Sequence, residues 1–181
     1  MTNELRDRVH AANVGAGWWS DLSTGESILT TRNRPELLCL ITSELCEAAV
    51  DGYKPDSHLP EFPALHVEIA DTAIRILDLA GADQIDLEAG DSYRIIFYGD
   101  VMKDLMSLVI LISGFALEGV RKKGNEAQYH QAIADAYQCL FKFAATYEFD
   151  LDECIQAKLD YNSKRADHKV ENRRAPGGKQ I

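Results

Sequence analysis

The sequence predicts an all-α protein, a helical bundle folded as one domain over residues 1–165, with a polar flexible tail over residues 166–181. Three observations lead there. Apolar residues recur at helical spacing through long segments, as in Tyr129, Ile133, Ala136, Leu140, Ala144 and Tyr147. Two segments open on caps: Asn33, with Pro35 in the first turn and Glu36 at the third helical position, and Asp150, with Glu153 at its third. Glycine and proline breaks separate the segments, at Gly15-Ala16-Gly17, at Asp51-Gly52, and across Lys54 to Pro60.

In chain order, residues 3 to about 15 form a short helix with Leu5, Val9 and Ala12 on one side. Trp18 and Trp19 follow the glycine break. They read either as hydrophobic plugs or, for one of them, as a flat stacking surface for a ring. Residues 20 to 32 are a polar connection. The helix opened by Asn33 runs to about Val50, and Asp51-Gly52 stops it. A second long helix opens around Glu61 to Pro63, continues to Leu79 and stops at Gly81. Residues 82 to 99, including Tyr93 to Tyr98, read as irregular or helical rather than as a strand. From Asp100 to about Lys122 comes the most apolar helix, apolar all round and therefore buried in the bundle or against another subunit. Glu126 to Tyr147 is amphipathic, and the last helix starts at the Asp150 cap.

A chain of 181 residues is long enough for one full core, and 46% hydrophobic residues is ordinary for a globular protein. The net charge of −10 argues against a general nucleic-acid binder, which would present a basic surface. Cys39, Cys46, Cys139 and Cys154 show no C-x-x-C spacing and read as small, reduced core residues. The N-terminus lacks the apolar core of a signal peptide, and the apolar run Leu105 to Leu117 falls short of the ~20 residues that span a bilayer. A cytoplasmic protein with no membrane partner is expected. The five histidines are scattered and form no triad or metal pair, and no glycine-rich phosphate loop is present.

Two acidic motifs stand out. Glu44-Leu45-Cys46-Glu47 and Glu68-Ile69-Ala70-Asp71 lie within apolar helical segments, each pair at i, i+3 spacing on one helix face. The second helix is apolar around most of its circumference, with a polar stripe of Glu68, Asp71, Arg75 and Asp78. Carboxylates drawn into such an interior cost several kcal/mol each unless protonated or paired, so about one nearby Arg is too little compensation. A divalent cation removes the cost, and oxygen-only ligands select Mg²⁺ or Mn²⁺. In the last helix, Leu151, Ile155, Lys158, Asn162 and Arg165 share a stripe whose apolar end faces the core. Lys158 and Asn162 then point along the inner surface, or the basic residues simply complement the helix dipole.

With these motifs in this order, the chain resembles the MazG-like all-α nucleoside triphosphate pyrophosphohydrolases, a group similar also to dimeric dUTPases and phosphoribosyl-ATP pyrophosphatases. The resemblance covers residues 34 to 82 and 150 to 179, and the wording around Glu68 looks like bacterial and phage members. It implies a bundle of that type, with residues 88 to 148 as an inserted helical pair before the last helix. It also implies a homodimer or homotetramer with the site beside a subunit interface. The activity implied is hydrolysis of a nucleoside triphosphate between its α and β phosphates, to a nucleoside monophosphate and pyrophosphate. Glu44, Glu47, Glu68 and Asp71 would hold Mg²⁺ or Mn²⁺, with Glu47, ahead of Glu44, accepting the proton from water. Lys158, Asn162 and Arg165 would bind the phosphates. Ala166 follows Arg165 where many relatives carry proline. Trp18 and Trp19 are the candidate base-binding residues, and a large aromatic surface suits a purine, hence dGTP and dATP. The other readings are a pyrimidine deoxynucleotide, alarmone or phosphoribosyl-nucleotide substrate, or a non-catalytic helical interaction protein.

Overall fold

The computed structural model of the chain describes residues 1–122 and 124–175, and among these no strand forms beyond isolated bridges at Ser20–Ser27 and Pro55–Pro63. The helices are α1 (Thr2–Gly15), α2 (Arg34–Asp51), α3 (Ala64–Asp83), α4 (Val101–Ile110), α5 (Leu117–Arg121), α6 (Glu126–Thr146), α7 (Leu151–Lys164) and α8 (Val170–Arg174). Short 3₁₀ turns at Leu87–Ala89 and Ser92–Arg94 occupy the stretch before α4, and another at Ala166–His168 follows α7. Among the described residues no helix is long and apolar enough to cross a membrane.

The protein is built around α3, which packs against α1, α2, α6 and α7. Leu65, Ile69, Ile76, Leu77 and Leu79 are all but fully buried along it, each worth roughly 1.5–3 kcal/mol by removal from water. The polar stripe of Glu68, Asp71, Arg75 and Asp78 on α3 faces a cavity instead of the apolar core. The core continues through Leu38, Ile41 and Leu45 of α2, Leu105 and Leu108 of α4, Ile133, Tyr137, Leu140 and Phe143 of α6, and Leu151 and Ile155 of α7.

The caps act as the sequence implies. Asn33 accepts from the Glu36 amide at 3.3 Å, Asp100 from Lys103 at 3.3 Å, and Asp150 from Glu153 at 3.0 Å, each satisfying a first-turn N–H that has no helical partner. Gly52 ends α2 with φ 58°. The second long helix opens behind Pro63 as expected, starting at Ala64, but it passes through Gly81 to Asp83, where Gln84 caps it with φ 55°. Gly81 is no stop. It is the point where α1 crosses α3, and a Cβ there would collide with the His10 side chain. The inward face of α1 is accordingly Leu5, Arg6, Val9 and His10, while Ala12 is exposed, and Arg6 donates to the Ile85 carbonyl at 2.6 Å.

The most apolar segment is helical from Val101 to Arg121, but its middle, Leu111–Ala116, is π-helical. Ser113 bonds back to the Val109 carbonyl at 2.6 Å and Gly114 follows it, a pairing that loosens the regular ladder. Gly119 then lets this segment lie against α6, because a Cβ would sit 2.6 Å from the Tyr129 nitrogen. The expected helical pair between α3 and α7 is therefore present. The cysteines divide: Cys139 and Cys154 are buried, whereas Cys39 and Cys46 sit exposed on α2 and correct the reading of all four as core residues.

Of the expected tail, residues 176–181 lie outside the described residues. Residues 166–175 turn back as the 3₁₀ turn and α8, and Arg173 is 2% exposed, donating to the Ala16 carbonyl at 2.9 Å. Val170 packs at Gly17, so this end of the chain lies over the α1–α2 connection.

Candidate metal and phosphate site

Three helices furnish the charged groups. Glu44 and Glu47 come from α2, Glu68 and Asp71 from α3, Lys158 and Asn162 from α7, and Arg165 caps α7. All of them line one cavity of about 820 Å³, within the range of small-molecule sites. Carboxylate oxygens of Glu44, Glu68 and Asp71 lie within 4.8 Å of one another. The sequence places the motifs on separate helices; the packing of α2 on α3 is what closes them into one cluster. Glu47 lies outside this trio, more exposed, on the same cavity wall.

The cluster is partly compensated by cations of its own. Arg75 donates to Glu44 at 2.5 Å, and the Lys158 ammonium, itself buried, meets Asp71 at 2.6 Å. These two do not cover the third carboxyl. Burial, with the Asp71 charge and a hydrogen bond and charge from Glu44, pushes Glu68 up to about 8. It therefore keeps its proton at neutral pH. Burial likewise lifts Asp71, against the opposing pull of Lys158, and burial with the Glu44 charge lifts Glu47. Burial alone would lower Lys158, but the charge and hydrogen bond of Asp71, with Glu68 and Asp56 behind them, hold it above its ordinary value.

Asn162 lines the cavity with a buried Oδ1 that has no hydrogen-bond partner among the described residues. Arg165 reaches the rim, but its guanidinium forks onto Asp167 at 2.9 and 2.5 Å, and that hydrogen bond raises its pKa. It lines the cavity with its charge already shared.

The tryptophans part company. Trp19 is 3% exposed, with its indole N–H on Asp78 Oδ1 at 2.8 Å, the His10 ring against it edge-on and the Arg34 guanidinium 5.3 Å from its ring. It is a buried side chain at the cavity wall. Trp18 is more open, and the Arg173 guanidinium lies 3.4 Å from its ring centroid with His168 edge-on. His10 carries no signal in the sequence, yet its Nδ1 meets Asp78 Oδ1 at 2.8 Å, where that carboxylate lines the cavity. The pairing depends on how α1 crosses α3, across 68 positions of chain, and leaves no local pattern to find.

The donor set suits a hard divalent cation: oxygen ligands only, drawn out of water, one of them keeping a proton for want of a counter-charge. Comparison of the chain with protein-family models, with curated proteins and with solved structures finds no match.

Proposed function

We propose that the chain is a Mg²⁺- or Mn²⁺-dependent hydrolase of nucleoside triphosphates, releasing a nucleoside monophosphate and pyrophosphate, with purine deoxynucleotides preferred. The observation that carries this reading is the convergence of Glu44, Glu68 and Asp71 opposite Lys158 and Asn162 in one cavity of nucleotide size. A bare acidic cluster would serve a cation alone. Cationic and amide groups on the facing helix add what an anionic ligand needs.

Glu44, Glu68 and Asp71 would hold the ion, and Glu68 would give up its proton on binding it. A bound divalent ion supplies charge neutralisation on phosphate oxygens and a lowered pKa for an attacking water. Glu47, accessible and with a raised pKa, takes the proton from water as oxygen bonds to the α-phosphorus. The bond from the α-phosphorus to the bridging oxygen breaks, and pyrophosphate leaves. Lys158 and the Asn162 amide donate to the phosphate oxygens, where charge builds on the leaving group. Lys158, paired with Asp71 here, would have to loosen from it to do so, with Asp71 then free to serve among the residues that would hold the ion.

Titration calorimetry with Mn²⁺ and a pyrophosphate-release assay across the common nucleoside triphosphates test this reading together. Glu44→Gln and Asp71→Asn are expected to abolish Mn²⁺ binding, and each, like Glu47→Ala, to lower turnover at least about 10²-fold while the fold persists. Mn²⁺ binding unaffected by the first two substitutions would remove the metal site, and with it the hydrolase.

A further inference from the structure

The polar stripe of α3 continues beyond the acidic cluster. Asp78 lies two turns past Asp71 on the same helix face, about 10 Å along the axis at the rise of an α-helix. That separation is close to the reach of a nucleoside from its 5′ oxygen to the far edge of its base. Both hydrogen bonds made to Asp78, from His10 Nδ1 and from Trp19 Nε1, fall on Oδ1 at 2.8 Å. Among the described residues none falls on Oδ2. The side chain is 17% exposed and lines the cavity, whose wall also includes Leu37, Leu40 and Ile74. One oxygen is thus used to hold the carboxylate in place, and the other accepts no hydrogen bond among the described residues of this cavity wall.

We propose that Asp78 is the specificity-determining residue for the base, its second carboxylate oxygen accepting a hydrogen bond from the amino-bearing edge of a nucleobase, guanine best. This rests on the nucleotide reading of the same cavity. An ionised carboxylate accepts and never donates. Adenine offers it the N6 amino group, cytosine the N4 amino group, and guanine two adjacent donors at N1 and N2. Thymine and uracil present a single N3–H flanked by two carbonyls, whose lone pairs the carboxylate repels. Discrimination of this kind is strong because the wrong base leaves the second oxygen of a largely buried carboxylate desolvated and without a donor. The His10 and Trp19 bonds fix the acceptor before the ligand arrives, so little order need be imposed on binding.

The test is a pair of measurements on wild type and Asp78→Asn. The first is kcat/KM for dGTP, dATP, dCTP, dTTP and dITP with Mg²⁺. The second is equilibrium binding of dGMP and dTMP, read by the fluorescence of Trp18 and Trp19. Wild type is expected to favour dGTP over dTTP by at least about 10²-fold, and over dITP, which lacks the 2-amino group, by several-fold. Asn at this position retains an oxygen for Trp19 and turns an amide N–H₂ toward the cavity. The ratio of dGTP to dTTP should then fall at least tenfold, with dTTP improved or unchanged. A role confined to tying α1 to α3 would instead lower every substrate by the same factor, and that result overturns the proposal while leaving the hydrolase intact. Base-selective binding of the monophosphates without any hydrolysis would keep Asp78 in its role and remove the hydrolase. Absence of nucleotide binding overturns both. Should Asp78→Asn fail to fold, equal wild-type kcat/KM for dGTP, dITP and dTTP overturns the proposal on its own.

Discussion

Glu68 concentrates the energetics of the site in one residue. Its carboxyl holds a proton up to about pH 8 in the folded protein and releases it near 4.5 when unfolded. Folding therefore takes up a proton across that window, and the contribution of this side chain to stability falls as pH climbs through it. The loss amounts to a few kcal/mol at the upper end, on the order set by 1.4 kcal/mol per pKa unit. Asp71 and Glu47, also raised by burial, act with the same sign. Asp21 and Asp167, both held down to about 2 by hydrogen bonds, act with the opposite sign in acid well below this window, and His66, lowered by burial, opposes it only below the ordinary histidine value of 6.5. In the presence of a chelator the melting temperature should fall between pH 5 and pH 9. Glu68→Gln, neutral throughout, should flatten that fall and melt higher than wild type at pH 8.5. Mn²⁺ should raise the wild-type melting temperature at pH 8.5 more than at pH 6, because at the lower pH it competes with the proton. A melting temperature for Glu68→Gln below that of wild type at pH 8.5 would mean that the buried carboxyl is not strained as its surroundings indicate.

At the scale of elements, what could be read in advance is what local chemistry decides. Asn33 and Asp150 are legible as caps because a side-chain oxygen meets an amide three residues on. The Glu68–Asp71 and Lys158–Asn162 faces are legible because helical spacing alone sets them. Gly81 was misread because the rule that glycine ends a helix holds for an exposed terminus, and here the missing Cβ makes room for another helix. The exposure of Cys39 and Cys46 and the covering of Trp18 by Arg173 follow from packing between distant segments, which no window of sequence contains. Gly81 is also where α1 is held in place, and α1 carries the His10 that holds Asp78. Gly81→Ala would normally favour a helix through its propensity. Here the added methyl must push α1 away, and we expect a net destabilisation of about 1–3 kcal/mol in urea unfolding. Trp19 fluorescence should shift with it as the Asp78 contact loosens. A stabilised Gly81→Ala protein would show that α1 rides loosely on α3.

For the whole molecule, the unresolved demand is the apolar surface left outside. Met102, Met106 and Ile110 are each more than half exposed, and they follow one another at four-residue spacing along α4. Asp104 on the same helix is turned inward, accepting from the Tyr98 and Gly99 amides and from the Tyr147 hydroxyl, so its charge does not interrupt the stripe. Single exposed apolar residues are common; a row of three large ones on one helix is a surface that association would cover. A second copy of this chain is the occupant we favour, because a straight stripe is complementary to itself under a two-fold axis. The net charge of −10 sets the conditions. Two such molecules repel over most of their surface, and the uncharged stripe is where they can approach. Salt should therefore strengthen the dimer by screening that repulsion while leaving apolar contact intact. Light scattering at micromolar concentration is expected to give a dimer whose dissociation constant falls from low to moderate ionic strength. Met106→Lys combined with Ile110→Glu should yield a folded monomer at every salt concentration. A wild-type monomer at high salt would rule the stripe out as a self-association surface.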